Sequence, residues 1–192
     1  MKKYLKLMRV KHYIKNILVF LPFIFSGQLL EPYYLVRALI GFCAFCLLSS
    51  AVYIFNDIRD AERDRLHPTK KNRPIASGAV SKRAAYLLGA CLILATAVLQ
   101  YFSRAVEWYA WVFLVIYLLL NLAYSMKLKN VPIVDVAILV SGYVLRVLYG
   151  SALGGIEISR WLYLTVISMS FYLGLGKRRN ELIRQDDTAK RN

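Results

Sequence analysis

The sequence predicts an all-α protein, a polytopic transmembrane helical bundle, on three observations. Hydrophobic residues make up 58% of the 192-residue chain and charged residues only 19%, below the quarter usual in soluble domains. The apolar residues gather into runs of about 20, the length that carries a helix across a bilayer's hydrocarbon core. The 26 Lys and Arg outnumber the 11 Asp and Glu, and they lie almost entirely between alternate runs. Disorder, collagen-like repeats and disulfide-rich secreted scaffolds are excluded by the same figures. No nucleic-acid partner is expected, because the basic residues do not gather on a polar domain.

Six spans are expected, at about residues 16–30, 33–55, 84–103, 106–125, 132–153 and 161–176. The first is short and interrupted by Pro22, and follows a basic segment, MKKYLKLMRVKHYIK. Tyr4, Leu5 and Met8 between its cations suit a helix lying at headgroup level. No small-residue cleavage site follows, so no signal peptide is expected. Residues 1–15, 56–83, 126–131 and 177–192 hold 22 of the 26 Lys and Arg. The positive-inside rule puts those segments, and both ends, in the cytoplasm. Cys43, Cys46 and Cys91 lie within apolar runs and read as small buried hydrophobes rather than a metal or redox site. Trp108, Tyr109 and Trp111 read as an interfacial aromatic belt. Gly150, Gly154 and Gly155 read as sites of close packing or a turn.

Residues 56–83 are the one extended polar stretch, and the chemistry is expected there. Asp57, Asp60, Glu62 and Asp64 fall within eight residues. Asp57, Asp60 and Asp64 follow i, i+3, i+7 spacing, which places them within an arc of roughly 60° on one helix face. Asn56 borders that face. Three carboxylates on one stripe repel unless a cation lies among them. Hard oxygen donors suit Mg²⁺, which shares itself between one or two carboxylates and substrate phosphates. Arg63, Arg65, His67, Lys70, Lys71 and Arg73 follow directly, stiffened by Pro68 and Pro74. Metal-binding acids beside phosphate-binding cations are what a magnesium–diphosphate site requires, since both neutralise a departing diphosphate. The competing reading is a solvated helix end held by acid–base pairs. His67, alone, is expected to position the loop or a phosphate rather than bind metal.

This stretch resembles the first aspartate-rich motif of the UbiA superfamily of intramembrane prenyltransferases, NDxxDxxxD, here Asn56, Asp57, Asp60 and Asp64, standing after the second span as in the family. The finer similarity is to the decaprenyl-phosphate phosphoribosyltransferase-like branch. It is carried by Lys15-Asn16 with Pro22, DRLHPTKKNRPIASG over 64–78, Tyr124-Ser125 with Lys127 and Lys129, VDV around Asp135, GYVLR ending at Arg146, and Lys177-Arg178 with Glu181-Leu182. The resemblance spans essentially the whole chain. It implies a single UbiA-like domain over residues 1–192, in a bacterial-type inner (cell) membrane, with a Mg²⁺-dependent site open to the cytoplasm. The implied reaction moves 5-phosphoribosyl from phosphoribosyl diphosphate to a polyprenyl phosphate. Asp57, Asp60 and Asp64 are the implied catalytic and metal-binding residues. Asn56, Lys15, Arg65, Lys70, Arg73, Lys127, Asp135, Arg146, Lys177 and Arg178 are the implied substrate-binding residues.

Two departures from the superfamily bear on this. Its second aspartate-rich motif is replaced by KRRNELIRQDD, where Lys177, Arg178 and Arg179 precede Glu181, Asp186 and Asp187. Cations there suit a substrate with an extra phosphate better than a prenyl diphosphate held by two acidic clusters. The chain also stops after six spans where the superfamily has about nine, so a chain incomplete at its C-terminus is expected. Two alternatives stay open: prenyl transfer to an aromatic acceptor such as 4-hydroxybenzoate, and a non-catalytic membrane fragment or transporter.

Asp135 and Arg146 are ionisable residues in or beside the fifth span, where charge is costly and usually functional. Eleven residues separate them, roughly 16 Å along a helix, too far for direct pairing. Asp135 is expected to face the donor. Arg146 is expected either to pair with another helix or to bind phosphate.

Overall fold

The computed structural model describes residues 2–126 and 132–189. Its helices are α1 (Lys2–Met8), a 3-10 helix (Val10–Phe20), α2 (Leu21–Phe25), α3 (Pro32–Arg65), a 3-10 turn (Lys70–Asn72), α4 (Lys82–Phe102), α5 (Ala110–Met126), α6 (Pro132–Gly154) and α7 (Arg160–Ala189). No strand occurs among the described residues. α3, α4 and α6 are long and apolar enough to cross a membrane, and α5 is a shorter apolar helix.

α3 is the central element, packed along α4 and touched by α1, the long 3-10 helix, α5 and α6. Pro32 opens it at the one turn where a missing N–H costs nothing. The helix runs ten residues beyond the expected end of the second span, at residue 55. Asp57, Asp60 and Asp64 therefore stand on one rigid helix and not on a loop. After it the chain returns through His67-Pro68 and Gly78, at φ 77°, and Ser81 caps α4 by accepting from the Ala84 amide at 3.2 Å.

The first expected span differs. The chain from Val10 to Phe20 is a 3-10 helix, and only Leu21–Phe25 is α-helical. Pro22 falls in the first turn of α2, where its absent N–H breaks no helical bond. The segment is sunk into the bundle: Val19 and Phe23 join Phe45, Leu114, Tyr117, Tyr149 and Leu153 in the largest core cluster. Gly150 makes that approach possible, because a Cβ there would lie 2.1 Å from the Val19 carbonyl oxygen.

A second cluster joins α1, the later half of α3, the polar loop and α4 through Leu7, Ile54, Ile58, Ile75, Val80 and Leu92. α1 thus docks by Leu7, while Tyr4 and Leu5 stay exposed. Lys3 Nζ donates to the Ala79 carbonyl at 3.1 Å and Lys6 Nζ to the Asn72 carbonyl at 3.0 Å. The basic N-terminus straps the polar loop down. Outward faces of α4, α5 and α7 carry exposed Leu87, Leu94, Leu119, Leu164 and Leu175, as lipid-facing surfaces require. Cys46 is buried as expected, while Cys43 on α3 and Cys91 on α4 are exposed, so these two are not the buried hydrophobes the sequence suggested.

Candidate functional site

α3 brings its three aspartates to one cavity of about 640 Å³, lined also by Arg9, Tyr53, Asn56, Arg63, His67, Lys70, Arg73 and Tyr124. Asp57 and Asp64 are nearly fully buried, at 3% and 4% exposure. Two guanidinium groups hold them. Arg73 Nη1 donates to Asp57 Oδ1 at 3.2 Å and to Asp64 Oδ2 at 2.8 Å. Arg9 Nη2 reaches Asp57 Oδ1 at 2.5 Å. A cation does lie among the stacked acids, and in this state it is arginine.

Arg9 is placed by an unusual backbone. Its φ of 53° and ψ of 46° are left-handed, a region costly for a residue with a Cβ. The turn between α1 and the 3-10 helix aims its side chain back over α3, where it stacks on Tyr53 at 4.8 Å. Partial desolvation, then the charges of Lys15 and Arg9, lower the pKa of nearby His12.

The donor set fits a magnesium–diphosphate ligand. Every anionic group is a hard oxygen donor, and the buried Asn56 Oδ1, in the same wall, has no hydrogen-bond partner. Among the described residues no three His, Cys, Asp or Glu side chains converge on one metal position. A divalent ion here would therefore need substrate oxygens and water to complete its shell, which is how Mg²⁺ is ordinarily bound.

A second cavity, about 170 Å³, adjoins the first through shared Tyr53 and Tyr124. Lys15, Tyr117, Asn121, Asp135, Ile138, Leu139, Gly142, Tyr143 and Arg146 complete it. Asp135 accepts from the Tyr124 hydroxyl at 2.5 Å. Arg146 is buried at 5% exposure. Its Nε donates to Asn16 Oδ1 at 2.8 Å, Nη1 to the Gly142 carbonyl at 2.5 Å and Nη2 to the Tyr117 hydroxyl at 3.3 Å. Arg146 and Asp135 thus take separate partners, as their spacing requires, and still face one chamber.

Of the sequence candidates, Asn56, Asp57, Asp60, Asp64, Lys70 and Arg73 meet in the first cavity, and Lys15, Asp135 and Arg146 in the second. Arg65 does not join them. Its Nε donates to the Ala76 carbonyl at 3.2 Å and its Nη1 to Glu62 at 3.1 Å, so it braces the loop and lines neither cavity. His67 holds the loop turn, its Nδ1 facing the Thr69 and Lys70 amides at 3.3 and 3.4 Å. Arg178, on α7, lines neither cavity. Lys127, Lys129 and the side chains of Lys177, Glu181, Asp186 and Asp187 lie outside the described residues. Arg63, expected among the phosphate-binding cations, also lines the first cavity, whereas Arg9 and Tyr53 are cavity residues that the sequence did not single out. Arg9 reaches the acids from 48 positions away, through a turn no local pattern announces.

The profile of the UbiA prenyltransferase family matches residues 18–190. The decaprenyl-phosphate phosphoribosyltransferase of Corynebacterium glutamicum is 34% identical over 187 residues, covering 96% of this chain and 56% of that protein. Its namesake from Mycolicibacterium smegmatis is 35% identical over 182 residues, covering 93% of this chain and 56% of that protein. The chain thus spans little more than half the length of these relatives. Among solved structures, that of a digeranylgeranylglyceryl phosphate synthase superposes with a TM-score of 0.75 at 23% identity, over 100% of this chain and 65% of that one. A UbiA homolog from Archaeoglobus fulgidus bound to DMAPP and Mg²⁺ superposes with a TM-score of 0.73 at 19% identity, over 88% of this chain and 60% of that one. Both are likenesses of fold.

Proposed function

The chain belongs to the UbiA prenyltransferase family, and from that premise we propose that it works as a Mg²⁺-dependent phosphoribosyltransferase acting on a polyprenyl phosphate. The observation that carries this reading is the first cavity, where Asp57, Asp60 and Asp64 face Arg9, Arg63, Lys70 and Arg73. Acids and cations in one chamber suit a ligand that brings its own divalent ion and its own negative charge. The names of the bacterial relatives supply the transferred group and the acceptor class.

In this reading Asp57, Asp60 and Asp64, between them rather than at one shared position, would hold Mg²⁺ with the diphosphate of phosphoribosyl diphosphate, and Asn56 Oδ1 would offer a further oxygen. When bound, the ion offsets negative charge on the diphosphate. Lys70, Arg73, Arg9 and Arg63 supply the remaining counter-charge to the leaving group. The bond from ribose C1 to the diphosphate oxygen breaks with its electron pair on oxygen, and C1 gains oxocarbenium character. A phosphate oxygen of the lipid then bonds to C1, and diphosphate is released. That oxygen is already anionic, so no general base is required. The site opens to the cytoplasmic face of a bacterial cell membrane. Asp135 and Lys15 face the donor and acceptor from the second chamber, with Lys127 and Lys177 as further phosphate contacts.

The test is a membrane assay with Mg²⁺ that offers phosphoribosyl diphosphate with polyprenyl phosphate, and separately a prenyl diphosphate with 4-hydroxybenzoate. Lipid-linked phosphoribose is the expected product. Prenylated hydroxybenzoate alone would replace this reading with aromatic prenylation, and neither product would leave the chain a non-catalytic member.

A further inference from the structure

Residues 2–30 hold six Lys and Arg and no acid, the first carboxylate in the sequence being Glu31. Three of these cations meet where α1 bends into the 3-10 helix. Lys6 stands in the last turn of α1, Arg9 at the left-handed bend, and Lys11 in the first turn beyond it. They line a groove of about 560 Å³ with Leu5, Val10 and His12, and no acid stands in its wall. Arg9 is the one residue it shares with the aspartate cavity, where Asp57 holds it. Neither of the other two cations is ion-paired among the described residues. Lys6 donates to a neutral acceptor, the Asn72 carbonyl, at 3.0 Å. Lys11 is exposed and makes no hydrogen bond among the described residues.

The same elbow is apolar. Leu5 and Val10 are exposed, and Ile14 and Ile17 continue that exposure along the 3-10 helix. Want of a core does not explain it, because α1 buries Leu7 against α3, the polar loop and α4. That docking fixes the height of the elbow. α1 rests on the end of α3 that carries the acids, and the chain beyond Val10 sinks into the bundle as far as Val19 and Phe23. A segment of this kind at that height lies among lipid headgroups, its cations toward water and its aliphatic side chains toward the acyl chains.

We propose that the elbow between α1 and the 3-10 helix binds an anionic phospholipid, its phosphate between Lys6 and Lys11 and its acyl chains along Leu5, Val10, Ile14 and Ile17. A free anion would meet the cations and leave those four side chains uncovered, as would a nucleic acid or an acidic peptide. A zwitterionic lipid would bring a second cation to a groove without an acid. An ammonium has three N–H donors, so Lys6 can keep the Asn72 carbonyl and still meet a phosphate. Lys3 and Lys6 hold the polar loop at Ala79 and Asn72, so a lipid seated here also steadies the loop that carries Lys70 and Arg73. The site needs only that the chain be embedded in a membrane and is independent of the proposed reaction.

The experiment is equilibrium binding to the purified chain in a non-ionic detergent, with three probes: dioctanoyl phosphatidylglycerol, dioctanoyl phosphatidylcholine and glycerol 3-phosphate. The variants are Lys11→Gln and Val10→Asn in the groove and Lys2→Gln, an exposed cation on α1 outside it. All three positions are exposed, and thermal unfolding checks that each variant folds. Phosphatidylglycerol should bind the parent about tenfold or more tightly than either other probe. Lys11→Gln should weaken it about fivefold, the share of one cation at an anionic lipid surface. Val10→Asn should weaken it about threefold or more through lost apolar contact, and Lys2→Gln should stay within about twofold of the parent. Equal losses in Lys2→Gln and Lys11→Gln would reduce the site to diffuse surface attraction and overturn it. Phosphatidylcholine binding as tightly as phosphatidylglycerol would overturn the charge argument. Glycerol 3-phosphate binding as tightly, or unchanged phosphatidylglycerol binding in Val10→Asn, would overturn the lipid as occupant.

Discussion

Arg73 donates to Asp64 at 2.8 Å, closing the polar loop onto the helix that precedes it. The same nitrogen lies 3.2 Å from Asp57, so one guanidinium bridges two buried acids about two turns apart. The bridge ties the loop to α3, and in the proposed reaction the group that neutralises the acids in this state would also meet the incoming phosphate.

Replacing Arg73 with Gln should leave Asp64 without its counter-ion and Asp57 with Arg9 alone. Truncating one partner of a buried pair costs about 3–5 kcal/mol, and the partial exposure of Arg73 brings the expected loss down to about 1–3 kcal/mol. Thermal unfolding in detergent should register it. Added Mg²⁺ should restore more stability to the variant than to the parent, since a divalent ion can take the vacated position between the carboxylates. Equal responses would mean that the acids and the ion do not share that position.

Asp60→Asn removes one charge from the cavity wall while keeping shape and helix. Under either enzymatic reading, transfer activity should fall about 100-fold or more, as it does when a group stabilising transition-state charge is lost. A membrane assay with saturating Mg²⁺ measures this, and thermal unfolding should remain near that of the parent. Full activity in the variant would favour a non-catalytic protein.

The acid stripe was legible because a helical period fixes which residues share a face, and Asp57, Asp60 and Asp64 needed only that α3 continue past the bilayer. The spans of α3, α4 and α6 were legible from apolar run length, whereas α5 is a shorter apolar helix than the span expected at 106–125. The first segment was not: composition reads residues 16–30 as a span, whereas the seating of Val19 in the core depends on Gly150, far along the chain, which admits its backbone. Arg9 was hidden for a similar reason, its role depending on a left-handed turn. Arg65 misled because its type and neighbourhood suit phosphate, while the Ala76 carbonyl and Glu62 decide where it points.

Gly150→Ala should be strongly destabilising, because the new methyl would lie 2.1 Å from a backbone oxygen that cannot rotate away. Overpacking of this kind costs about 1–3 kcal/mol or more, and separating α6 from the 3-10 helix would also disturb Asn16 beneath Arg146. Gly176→Ala is the control. Nothing lies within 4 Å of its Cβ position, so helix propensity alone should make it neutral or stabilising by up to about 1 kcal/mol. Thermal unfolding of the two variants side by side separates the effects.

The charge pattern and the fold together make a topology prediction that does not depend on any substrate. Ser77 lies exposed in the loop between α3 and α4, and Glu157 lies exposed between α6 and α7. The first loop belongs to the strongly basic set of segments, and the second does not, so the positive-inside rule puts them on opposite sides. In a background without Cys43, Cys46 and Cys91, Glu157→Cys should react with a membrane-impermeant maleimide in intact cells. Ser77→Cys should react only after the membrane is opened or in inside-out vesicles. Because α3 carries the acids directly into the Ser77 loop, the side on which Ser77 reacts is the side from which the proposed soluble donor would have to arrive. Labelling of Ser77→Cys from outside would place the aspartate cavity away from the cytoplasm and deprive it of that donor.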